Sequence, residues 1–196
     1  MKLHYMGKYS GDENDLPHGE HKPGAVAFRE PDMKKTAIII NIVGNAVAIA
    51  LVIAAYIIWQ TSADERASGS WQICLAALCS LLALFPHEII HALCFKKDVY
   101  LYTNLKQGML FVVGPEDLSK LRFILMSLAP NIVFGFIPFI LFLVFPNMLF
   151  LGTFGAISIG CGAGDYMNVI NALIQMPKGA RTYLYGFHSY WYMPQD

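Results

Sequence analysis

Four long apolar stretches alternate with polar ones along this chain, and their lengths set the first expectation. Residues 1–35 are polar and broken by Gly11, Pro17, Gly19, Pro23, Gly24 and Pro31, a pattern that supports no regular period and predicts a flexible N-terminal tail. Thr36 to Trp59 then runs for 24 residues without a charge. At ~1.5 Å per residue, a helix of that length exceeds the ~30 Å of a hydrocarbon layer. A polar link, Gln60 to Ser70, leads into a second apolar run from Trp71 to Phe95, interrupted by His87, Glu88 and His91 and closed by Lys96-Lys97. Residues 96–121 form the one sizeable middle loop, where Val99 to Thr103 and Gly108 to Val113 read as two short strands around Asn104-Leu-Lys-Gln. A third run, Arg122 to Phe145, contains Pro130 and Pro138, and Pro146-Asn147 turns into a fourth, Leu149 to Met176. The pattern predicts an all-α membrane protein. Four transmembrane helices fill residues 36–176, a short β-hairpin sits in the cytoplasmic middle loop, and the aromatic residues 177–196 form a C-terminal tail in the headgroup layer.

Composition supports that solvent. The 196 residues are 56% hydrophobic and only 14% charged, against ~25% charged in soluble domains. Mean hydropathy is +0.46. Fourteen basic and fourteen acidic side chains cancel, so there is no electrostatic footprint for nucleic acid, and membrane lipid is the expected partner. Six Lys and Arg lie in the N-terminal tail, five in the middle loop through Arg122 and two after Met176, against Arg66 alone in the alternate loops. The positive-inside rule then places both termini and the middle loop in the cytoplasm of a cell membrane crossed several times. Cys74, Cys79, Cys94 and Cys161 all fall inside apolar runs, without disulfide or zinc-ribbon spacing, and read as small packed hydrophobes.

The chemistry concentrates at His87-Glu88-Ile89-Ile90-His91. On a helix, residues four apart share a face, so the two imidazoles stand one turn apart, as two ligands to one metal ion require. Glu88, ~100° around the helix, is placed to act as general base on a water in the open coordination position. Chance yields this pattern roughly once in two hundred chains of this make-up. A polar cluster at a helix end is the plainer alternative. His87, however, lies eight residues before Phe95, ~12 Å inward, where an unpartnered carboxylate beside it costs several kcal/mol.

A catalytic zinc commonly has three protein ligands. Asp165 is the one acidic residue of the fourth run, ten residues before Gln175, at a matching depth of ~15 Å. It is the expected third ligand, with Cys161 one turn earlier as a softer alternative, or it is a helix cap. Ala156, Gly160 and Gly164 give a small-xxx-small spacing for close helix packing. Asn168 and Asn171 on the same run, and Asn131 beside the Pro130 kink, are candidates to bind substrate, to support the ligands, or to join helices. His4, His18, His21 and His188 lie in the tails, where solvated polar chain is the reading.

Pro86-His-Glu-Ile-Ile-His91 in one membrane segment, and Gly164-Asp165 followed by Asn168 in a later one, resemble the zincin peptidases, a family of small multi-pass bacterial membrane proteins related in plan to the site-2 proteases. The likeness covers roughly residues 70–175. Where site-2 proteases carry Leu-Asp-Gly, this chain has Gly-Asp-Tyr. The resemblance implies one catalytic Zn²⁺ held by His87, His91 and Asp165, with Glu88 activating water inside the bilayer of a bacterial plasma membrane. Residues 36–176 would then be a membrane metalloprotease-like domain that hydrolyses membrane-associated protein or peptide substrates near the cytoplasmic face. A metal-binding scaffold or regulator that cleaves nothing, and an ion transporter, are the competing readings. Iron or manganese also suits such ligands.

Overall fold

The computed structural model describes residues 1–29, 33–62, 69–104 and 109–195. Most of the polar link after the first apolar run (63–68) and the turn of the expected hairpin (105–108) lie outside the described residues. In chain order the elements begin with strands β1 (Leu3–Lys8) and β2 (Val26–Ala27) and helices α1 (Met33–Ser62), α2 (Ser70–Leu82) and α3 (Leu84–Leu93). Strands β3 (Val99–Asn104), β4 (Met109–Val113) and β5 (Leu118–Ser119) follow. Helix α4 (Lys120–Pro130) passes through a π-helical stretch, Asn131–Phe136, into α5 (Ile137–Val144). Helices α6 (Leu149–Cys161) and α7 (Ala163–Gln175) and strands β6 (Arg181–Tyr185) and β7 (His188–Tyr192) complete the chain.

The expectation of an all-α protein with four transmembrane helices is overturned: the fold is mixed α/β. Among the described residues two helical stretches, Ile38–Ser62 and Lys120–Val144, are long and apolar enough to cross a membrane, and a third arises only if α2 and α3, bent by 45°, are taken as one. The bend has a local cause. Pro86 offers no N–H to the Leu82 carbonyl and its ring crowds that oxygen, so the helix breaks at Ala83 and restarts with the proline in its first turn. The fourth run breaks at Gly162 into two helices of 13 residues each, ~20 Å apiece and short of a full crossing.

The chain forms two compact units. The first gathers Met1–Glu30, Glu88–Ser127 and Asn168–Asp196. Its three-stranded sheet has the order β1–β3–β4: β1 runs parallel to β3 from Leu3 opposite Val99, and β3 pairs antiparallel with β4 from Tyr100 opposite Val113. The two strands expected in the middle loop are therefore present. The β1 register slips between Tyr5 and Gly7, and Gly7 takes φ +78°, a conformation open to glycine at little cost. The second sheet, β2–β7–β6–β5, is antiparallel throughout. Its β6–β7 hairpin turns on Gly186-Phe187. Gly186 has φ +60°, and among the described residues no residue other than glycine has positive φ, which makes this a type II′ turn. The polar N-terminal segment and the aromatic C-terminal one thus supply strands, although neither shows a sustained period-2 pattern. Phe28, Phe95, Val99, Leu118, Phe123 and Met176 form the main core.

A buried carboxylate fixes the chain leaving α3. Glu116 accepts the amides of Lys96 and Lys97 on Oε2 at 2.6 and 3.0 Å and the Arg122 guanidinium on Oε1 at 2.7 Å. Arg122 also donates to the Cys94 carbonyl at 3.0 Å, one residue past the end of α3.

The second unit, Pro31–His87 and Leu128–Met167, is helical. A Cβ on Gly44 would overlap the Gly160 carbonyl, and one on Gly160 would stand 2.6 Å from the Ala48 Cβ, so α1 and α6 touch backbone to backbone. Buried Gln72 on α2 accepts the Phe150 amide at 3.0 Å, satisfying a first-turn donor of α6. The other face of α1 carries Ile38, Ile39, Ile42, Ile49 and Ile53, each more than half exposed. A continuous isoleucine sheath is costly against water and ordinary against acyl chains.

Candidate metal centre

His87, Glu88 and His91 lie on α3, half-buried, and one ligand atom from each stands within 4.8 Å of the others; among the described residues this is the one group of three such side chains close enough to share a metal ion. The helical spacing expected from the sequence accounts for it. Asp165 is the third residue of α7, where the N-terminal end of the helix dipole favours a carboxylate. Within the second unit its Oδ2 lies 3.2 Å from Nε2 of His87, with side-chain exposures of 14% and 18%. Two ligands bound at ~2.0–2.1 Å to one tetrahedral zinc stand ~3.3 Å apart. The observed spacing therefore suits one shared ion as well as a direct hydrogen bond.

Asn131 fixes the carboxylate. Its Nδ2 donates to Asp165 Oδ2 at 2.7 Å, while its Oδ1 accepts from the Tyr166 hydroxyl at 3.4 Å. The asparagine is 1% exposed. A Cβ on Gly162 would overlap its amide, so the glycine that ends α6 also makes room for this bond. Asn131 opens the π-helical stretch after Pro130, and π-bulges recur at functional sites because they re-aim side chains. In the first unit, His91 Nδ1 pairs with the Met126 carbonyl at 3.0 Å. A carbonyl only accepts, so Nδ1 carries the proton and Nε2 of the neutral ring keeps the lone pair that a metal takes. Two imidazoles and a carboxylate are a donor set that zinc takes, and two of the three, Asp165 and His91, are held by hydrogen bonds from outside the set.

A family model described as "Putative zincin peptidase" matches residues 80–181, more than half of the chain and a span that includes all these side chains. The chain belongs to that family. No match was found among curated proteins or solved structures.

The other candidates separate by contact. The Asn171 oxygen accepts from Gln175 at 3.1 Å, a tie within α7. Asn168 is half-buried, three residues beyond Asp165. Cys161 is exposed at the end of α6. The rings of His18 and His21 pack on Tyr185 at centroid distances of 4.4 and 4.0 Å, and His21 also meets the Tyr183 hydroxyl at 3.1 Å. Four participants escaped the sequence reading: Tyr166, Gly162, the Met126 carbonyl and the Glu116–Arg122 pair. Pro130 standing four residues after Met126 was the one available sign of the third.

Proposed function

We propose that this chain is a zinc-dependent, membrane-embedded peptidase of site-2-protease plan that cleaves membrane-associated substrates near the cytoplasmic face. The observation carrying the proposal is the meeting of Asp165 with His87 at 3.2 Å, because a carboxylate and a histidine of a H-E-x-x-H helix share few other purposes at low exposure. His87, His91 and Asp165 hold the metal. A zinc ion so held lowers the pKa of its bound water to ~7 and polarises the scissile carbonyl. Glu88 accepts the proton of the attacking water and then delivers it to the leaving amine. Asn131 keeps Asp165 in place throughout.

Strand pairing supports the cytoplasmic side. β1 comes from the N-terminal segment and pairs with β3, while β5 pairs with β6 of the C-terminal segment. Strands that share a sheet lie on one side of a bilayer, and these segments hold thirteen of the fourteen Lys and Arg. The positive-inside rule makes the cytoplasm the side this reading assigns to them. The sheet order leaves β4 at an edge, where an extended substrate segment can add as another strand. Since a helical substrate satisfies its own amides in lipid, it must unwind before it is cut.

The test is Glu88→Gln assayed on co-expressed membrane-anchored substrates. Retained zinc with cleavage reduced ~10²- to 10⁴-fold is expected of a lost general base. Undiminished cleavage would refute the assignment.

A further inference from the structure

Helix α4 ends at Pro130, and a proline has no amide hydrogen for the carbonyl four residues back. That carbonyl belongs to Met126, and it is the one that accepts Nδ1–H of His91 at 3.0 Å. We propose that Pro130 is a positioning residue: by withholding its N–H it dedicates the Met126 carbonyl to His91, setting both the tautomer and the ring direction of a metal ligand. The proposal rests on the zinc reading above. Its next neighbour repeats the logic from the other side of the same peptide bond, since Asn131 holds Asp165 by a 2.7 Å hydrogen bond. Two consecutive residues at one helix irregularity thereby brace two ligands.

Alanine at position 130 would restore a donor aimed along the helix at the Met126 oxygen, in competition with the imidazole. Pro138 supplies the control. It also interrupts a helical ladder, near the start of α5, but the carbonyl four residues before it is that of Phe134, which is not His91's partner. Full-length wild type, Pro130→Ala and Pro138→Ala are compared in detergent by zinc competition titration and thermal unfolding, and by ¹⁵N imidazole spectra of the zinc-free proteins.

Loss of an outer-shell partner weakens zinc binding ~10- to 100-fold. That loss is expected for Pro130→Ala alone, with a melting temperature equal to or above wild type and His91 no longer held as the Nδ1–H tautomer. The inference is overturned by unchanged zinc affinity, by equal weakening in Pro138→Ala, or by an unaltered His91 tautomer. Each of those results leaves zinc binding by the wild type intact. Failure of the underlying zinc reading shows separately, as a wild type that takes up no zinc, and the ¹⁵N spectra of the zinc-free proteins still decide the tautomer in that case.

Discussion

Single atoms carry most of what is specific to this site. Asp165 is useful because Asn131 holds it, and Asn131 fits because residue 162 has no side chain. Gly162→Ala should displace the buried amide at a cost of ~1–3 kcal/mol, as overpacking does, and should lower zinc affinity alongside the melting temperature. A variant that melts lower yet binds zinc as tightly as wild type would break the link between Gly162 and the ligand. The H-E-x-x-H residues were legible in the sequence because helical geometry alone places them together. Asp165 was singled out by elimination, as the one acidic residue of its run, and it lies beside His87; its expected depth assumed a fourth full span that the break at Gly162 removes. The amide of Asn131 and the carbonyl of Met126 were not legible, because their partners lie 34 and 35 residues away and no periodicity encodes such a pairing.

At the level of elements, the long helices and the β3–β4 pair were legible, and the other strands were not. Apolar runs marked α1 and the α4–α5 stretch, whereas β1 and β2 pair with segments distant in sequence, and neither they nor β6 follow a sustained alternation of their own. The breaks at Ala83 and Gly162 were missed because an apolar run reads the same whether or not its ladder is continuous, although Pro86 was in view. The end of α3 depends on Glu116. Burial pushes its carboxyl up, but the hydrogen bond from Arg122 and those from the Lys97 and Lys96 amides outweigh this and hold it below the ordinary 4.5. A depressed folded-state value means that the stabilisation is present above ~4.5 and is lost as pH falls through the folded value. Glu116→Gln should therefore lose ~1.5–3 kcal/mol at pH 7, the worth of hydrogen bonds to a charged group, and the gap to wild type should close below pH 4.5. Melting temperatures across pH 3–7 check this, and a gap independent of pH would contradict it.

For the whole molecule, the sheets constrain topology more tightly than hydropathy does. Hydropathy counted four crossings. The structure keeps two long apolar helices, with a bent pair as a conditional third, and ties the N-terminal, middle and C-terminal segments through hydrogen-bonded strands. Single cysteines introduced at Asp12 and Phe187 in a cysteine-free background should react with an impermeant thiol reagent in inverted vesicles and stay protected in intact cells. Labelling of the two from opposite faces would contradict the pairing.

The most direct measurement is the zinc content of purified wild type beside His87→Ala and Asp165→Ala, each checked for cooperative melting. About one zinc per wild-type chain, with loss of zinc in both folded variants, is the outcome that a shared site predicts. Zinc retained at the wild-type level by folded Asp165→Ala would show that the carboxylate beside His87 holds no metal, and the peptidase account would fail with it.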